Sequence, residues 1–173
     1  MKHLWILRHG KAASESSDGD DHSRPLTGRG RRQGTEVAGY VADRVTSGAS
    51  TPDLVISSSA IRARRTAEAA HAALGPAIPL EIERALYGAD ADDVVSRLRL
   101  LPDETRAVMI VGHNPTFHEL ALLLVSADDA DGRARLEAGF PTAALAVIAL
   151  DVAAWTEVAA GCGRLEDLFL PTR

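Results

Sequence analysis

The stretch Leu4-Trp5-Ile6-Leu7-Arg8-His9-Gly10 runs an apolar segment directly into an arginine and a histidine. Four consecutive apolar residues fit a buried strand. Charge is costly inside a sheet, so Arg8 and His9 mark the strand's carboxyl end. The pattern returns twice. Asp53 to Ser57 reads as a second strand and leads into Ser58-Ser59-Ala60-Ile61-Arg62. Ala107 to Val111 reads as a third and leads into Gly112-His113-Asn114-Pro115.

Helical signals fill the intervals. Thr27 is the expected N-cap of a helix with Val37, Tyr40, Val41 and Val45 at helical spacing on its apolar face. Ile61, Ala63, Ala67, Ala70 and Leu74 mark a second helix stopping near Gly75-Pro76. A short strand is expected over Leu80 to Ile82. Asp90 caps a third helix that buries Val94, Val95, Leu98 and Leu101 and ends at Pro102. Asn114 as N-cap and Pro115 at the first helical position start a fourth, burying Phe117, Leu120, Ala121 and Leu124. Ser14 to Ser23 and Ser126 to Gly132 read as polar loops. Thr142 to Asp151 and Trp155 to Ala159 read as two antiparallel strands. Strands alternating with helices predict a three-layer α/β/α sandwich with a mixed, largely parallel sheet, spanning 1–173 as one domain.

Composition narrows the class. The 173 residues carry 19 Lys and Arg against 24 Asp and Glu, a net charge of −5. With 46% hydrophobic residues this is an ordinary globular chain. Its acidity argues against a nucleic-acid partner. No apolar run approaches the roughly 20 residues that span a bilayer, so no membrane partner is expected. Cys162 is the single cysteine and cannot form an intrachain disulfide. The expected location is the cytoplasm, and the sequence carries no signal of an oligomeric state.

In an open α/β sheet, ligands bind outside the carboxyl ends of the strands. Arg8, His9, Arg62 and His113 are therefore expected to converge. Guanidinium groups match phosphate oxygens, often bidentately. Two arginines supply +2 against the −2 of a phosphate monoester dianion. They also lower the pKa of a neighbouring imidazole, which keeps a lone pair free for nucleophilic attack. Taken one at a time, each residue has a bland alternative: Arg62 as a solvated helix arginine beside Arg64 and Arg65, His113 as a helix cap. Their joint occurrence at three strand ends is far more specific.

Leu7-Arg8-His9-Gly10, the segment Ser58 to Ala67, and Gly112-His113-Asn114-Pro115 resemble the histidine phosphatase superfamily, also called phosphoglycerate mutase-like. Arg24-Pro25-Leu26-Thr27, Ala85-Leu86-Tyr87-Gly88 and the short chain are similar to the small SixA-type phosphohistidine phosphatases. The resemblance implies a phosphoglycerate mutase-like fold with His9 as nucleophile. Arg8, Arg62, His113 and Asn114 would hold the substrate, and no metal or cofactor is implied. A metal cluster of His9 and His113 with His118 or His22 lacks any known ligand spacing, and the arginines would repel a cation.

Larger members of that superfamily use a carboxylic general acid. Glu83 is the candidate here, its bland alternative being an exposed residue on a short strand. Imidazole, with a pKa of about 6.5, leaves more easily than an alkoxide. A site without an acid therefore favours P–N over P–O bonds. The leading expectation is a metal-independent phosphatase that acts on phosphohistidine in a protein. The alternatives are a phosphomonoesterase for a small phosphate ester, with Glu83 as acid, and an idle adaptor that only binds phosphate.

Overall fold

The apolar runs pack on two sides at once. In strand β1 (Lys2–Arg8), Trp5 and Leu7 enter one core while Leu4 and Ile6 enter another. Such two-sided burial is the mark of a central strand in a largely parallel sheet. The computed structural model describes residues 1–172. After β1 come α1 (Gly28–Thr46), β2 (Leu54–Ser58), α2 (Ile61–Leu74), β3 (Leu80–Glu83) and α3 (Ala91–Leu98). They are followed by β4 (Ala107–Gly112), α4 (Thr116–Leu124), α5 (Ala130–Glu137), β5 (Leu145–Leu150) and β6 (Gly163–Phe169).

The six strands form one sheet in the order β3-β2-β4-β1-β5-β6. The first four are mutually parallel, and β5 and β6 add antiparallel strands at one side. This is the expected α/β sandwich. Val37 and Val41 of α1 and Ala63, Ala67 and Ala70 of α2 cover one face with Trp5, Leu7 and Met109. Val94, Val95 and Leu98 of α3, the apolar face of α4, and Leu136 of α5 cover the other. Thr27 caps α1 by accepting from Gly30 N–H at 3.0 Å. Asp90 and Asp93 form a reciprocal capping box at the start of α3.

The structure corrects two readings of the C-terminal third. The supposed loop Ser126 to Gly132 turns at Asp129 into α5, whose N-terminus is capped through Gly132 N–H at 3.0 Å. Only Gly132 and Leu136 of that helix are buried, so its periodicity is faint. Trp155 to Ala159 is not a strand. Trp155–Glu157 is a single helical turn that buries the Trp155 indole, and β6 is the true partner of β5. Arg164, Glu166 and Asp167 make β6 look like a loop in sequence. On an edge strand, charge instead blocks pairing with other chains.

The loop after β1 meets the first turn of α1 backbone to backbone. A methyl group on Gly10 would lie 2.8 Å from the Gly30 carbonyl oxygen, and one on Gly30 would collide with the Lys11 carbonyl. Gly10→Ala is therefore expected to destabilise the protein by roughly 1–3 kcal/mol through overpacking. Denaturant unfolding of both proteins measures it.

Candidate active site

Strand register brings the first and third motifs together. Arg8 lies opposite Gly112 across the parallel β1–β4 pair. His9 N–H then donates to the Gly112 carbonyl at 3.0 Å. β2 flanks β4 with Ser57 opposite Val111, which brings Ser58 alongside. Arg62, in the first turn of α2, is only 5% exposed. Thr66, one turn later, accepts from Gly10 N–H at 3.0 Å and donates to the Arg62 carbonyl at 2.7 Å. The second motif is thus tied to the first, and the His9 and His113 rings lie 5.1 Å apart, centre to centre.

A main-chain hydrogen bond fixes the tautomer of the His9 ring. His9 Nδ1 is 2.7 Å from the Gly10 carbonyl, which can only accept. Nδ1 therefore carries the proton, and Nε2 keeps its lone pair. Burial first, then the charges of Arg62, Arg8 and Arg24, lower the His9 pKa to about 4. His113 Nε2 lies 2.7 Å from Ser58 Oγ. That oxygen also accepts from Ala60 N–H at 3.3 Å, and a hydroxyl can pair with Nε2 either as donor or as acceptor. The His113 ring is neutral. Burial, the neighbouring His9 and Arg62 lower its pKa to about 3.

Several buried polar nitrogens here have no partner among the described residues: Arg8 Nε, Arg62 Nε and His113 Nδ1. Arg8 uses one N–H on the Phe140 carbonyl at 2.9 Å. Arg62 uses two, on the Asp21 carbonyl oxygen at 2.7 Å and on its carboxylate at 3.1 Å. Most of each guanidinium fork is uncommitted within the protein. Unpaired buried donors are costly. Guanidinium groups with free N–H donors beside the His9 ring suit an oxyanion.

The sequence profile of the histidine phosphatase superfamily (branch 1) matches residues 4–97. The chain belongs to that superfamily. It is 32% identical over 167 residues to an uncharacterized protein of Mycobacterium tuberculosis, covering 95% of this chain and 99% of that one. The solved structure of the "putative phosphohistidine phosphatase SixA" of Agrobacterium tumefaciens is 30% identical, with a TM-score of 0.80 over 98% of both chains. A mycobacterial glucosyl-3-phosphoglycerate phosphatase shares the fold at 20% identity, with a TM-score of 0.63 over 96% of this chain and 98% of that one.

In this member of the histidine phosphatase superfamily Arg8, His9, Arg62 and His113 lie close together, whereas two other residues face elsewhere. Both oxygens of Glu83 lie on Arg97 of α3, with contacts of 2.7 to 3.1 Å. Its side chain lines a cavity with Leu86, Asp93, Ser96 and Arg97 instead of facing His9. Both carboxylate oxygens are thereby committed to α3. Glu83→Gln is expected to change turnover less than threefold and stability by roughly 1 kcal/mol at most. Parallel kinetics and thermal melts check both. Asn114 does not cap α4, which begins at Thr116 after a single-residue step at Pro115. Its amide instead donates to the Phe140 carbonyl at 2.9 Å, the same acceptor that holds Arg8.

Ser58, Asp21 and Tyr87 carry no assigned role in the reading of the sequence. Asp21 accepts from Tyr87 O–H at 2.6 Å, Arg24 Nε at 2.8 Å and Arg62. Arg24 and Tyr87 fall in the motifs shared with SixA-type chains, which was the available signal. Asp21 lies in a polar loop that carried none. Among the described residues, no group of three His, Cys, Asp or Glu side chains could hold a metal ion, and no helix is long and apolar enough to cross a membrane.

The lowered histidine pKa values predict a shifted acid limb. His9 loses its lone pair only near pH 4, so the enzyme-controlled fall in kcat/KM is expected there and not near 6.5. Stability follows a related course. The unfolded chain takes up these protons near pH 6.5 and the folded one only near pH 4 and below. Stability contributed by the neutral rings is complete above 6.5 and falls as pH drops towards 4. A pH–rate profile and melts from pH 4 to 8 measure the two.

Proposed function

We propose that this protein is a metal-independent phosphatase that works through a phosphohistidine intermediate on His9 and removes phosphoryl groups from phosphohistidine in a protein. The observation that carries the reading is the His9 ring. It is locked by the Gly10 carbonyl with Nε2 unprotonated, among buried donors with no partner. In the first step Nε2 attacks phosphorus in line with the leaving group. Arg8, Arg62 and His113 hold the equatorial oxygens, and the donor's P–N bond breaks. In the second step water attacks phospho-His9. Positioning and charge stabilisation supply most of the rate, as in phosphoryl transfer generally. Two arginines and His113 do what a divalent cation does elsewhere.

The choice of a P–N bond rests on leaving-group chemistry. Glu83 is committed to Arg97, and Asp21 is held ionised by Tyr87, Arg62 and Arg24 well below the usual carboxylate range. An alkoxide finds no acid in this arrangement, whereas imidazole needs little help. The 30% identity with the Agrobacterium protein supports the same class.

The test compares kcat/KM for a phosphohistidine peptide with that for 3-phosphoglycerate, in wild type and in Glu83→Gln. Fast cleavage of the peptide, slow cleavage of the ester and indifference to Glu83→Gln are expected. Rapid ester turnover that collapses by the roughly 10²–10⁴-fold of a positioned acid would install the phosphomonoesterase instead. Absence of any turnover, para-nitrophenyl phosphate included, would leave a phosphate-binding adaptor. EDTA is expected to leave activity intact, while vanadate inhibits. Loss in EDTA reversed by a divalent metal would overturn the metal-free mechanism.

A further inference from the structure

Asp21 poses a chemical question. A site that binds a dianion gains nothing from a fixed carboxylate beside it, yet Asp21 is held there by four contacts. Its backbone carbonyl and Oδ2 both accept from the buried Arg62 guanidinium, at 2.7 and 3.1 Å. Oδ2 also accepts from Tyr87 O–H, and Oδ1 from Arg24 Nε. The side chain is still 55% exposed on the rim of the site. A carboxylate offers about four acceptor positions. Three are filled, and the open one is on Oδ1.

Orienting Arg62 does not require that negative charge, because the Asp21 main-chain carbonyl already holds one of its N–H groups. The charge matters for what departs. An ester releases an oxygen that grows more negative, which a carboxylate opposes. A phosphorylated imidazole protonated on its distal nitrogen carries a positive ring, which a carboxylate favours. The rim is also edged by flat groups. The Tyr87 ring lies edge-on to His22 at 4.9 Å and to His113 at 5.8 Å. These surfaces suit a planar ring.

We propose that Asp21 determines specificity by accepting a hydrogen bond from the distal ring N–H of a phosphohistidine substrate, which selects N-linked over O-linked phosphoryl groups. The inference rests on the phosphohistidine reading. The step balances without a proton donor. His9 Nε2 supplies the electron pair of the new P–N bond. The old P–N bond breaks, and its pair returns to the departing ring. That ring arrives as an imidazolium and leaves as neutral imidazole, its distal N–H still on Asp21.

The experiment measures kcat/KM for a phosphohistidine peptide and for para-nitrophenyl phosphate in wild type, Asp21→Asn and Asp21→Glu. Asp21→Asn is expected to lower the peptide rate at least tenfold more than the aryl phosphate rate, and Asp21→Glu to restore most of the difference. A carboxylate that only aims Arg62 predicts equal losses on both substrates, and that result would overturn the proposal while leaving the function intact. Wild-type enzyme that cleaves the aryl phosphate and ignores the peptide would overturn the underlying function and this inference with it. Circular dichroism verifies folding, and Asp21→Ser replaces Asp21→Asn in the same comparison if the latter does not fold.

Discussion

His9→Ala is expected to lower kcat/KM by roughly 10⁴-fold or more, the scale seen when a nucleophile is removed, without unfolding the protein. Its ring is buried, but it packs beside His113 and hydrogen-bonds only to the Gly10 carbonyl. Neither contact supports a strand or a helix. Labelled substrate and rapid quenching should trap a phosphoprotein in wild type that is labile in acid and stable in base. The variant should trap none. An acid-stable label, or a variant that keeps its activity, would remove His9 from the nucleophile's role.

Arg62→Met should produce the next largest loss, roughly 10²–10³-fold in kcat, as when one donor to a developing oxyanion is deleted. Methionine keeps much of the apolar stem in a position only 5% exposed, which limits the structural damage. The substitution also takes away one of the positive charges that lower the His9 pKa. The acid limb of kcat/KM should therefore move upward from about pH 4. Arg62→Lys is a useful companion because it retains the charge without the planar fork. It should leave the limb nearly in place while still losing much of the rate. A lysine variant as active as wild type would show that charge alone is enough at this position.

Both effects pass through an arrangement that neither residue makes alone. His9 is depressed mainly by burial and then by three arginines, from β1, from the loop before α1, and from α2. Arg62 is aimed by a carbonyl 41 positions away in sequence. Changes to Thr66 or Ser58 should therefore act on kinetics at a distance from phosphorus, through the placement of the Gly10 loop, Arg62 and the His113 ring.

Local sequence determined the sheet's centre and the main chemistry. Runs such as Leu4 to Leu7 and Ala107 to Val111 are apolar on consecutive positions because their strands are buried on both faces. The abrupt change to Arg8-His9 and Gly112-His113 then locates the strand ends without reference to the rest of the chain. Thr27 and Asp90 announce helix starts for an equally local reason, since a cap satisfies N–H groups only two or three residues on. Tertiary structure decided what depends on partners distant in sequence. Glu83 looked like an acid until Arg97 closed on it. Asn114 looked like a cap until the Phe140 carbonyl drew its amide away. The acceptor that holds Arg8 is the main-chain oxygen of Phe140, 132 positions on, which no side chain advertises. The same limit hid β6. Its alternation is interrupted by charges that belong on a sheet edge, and only its pairing with β5 makes it a strand.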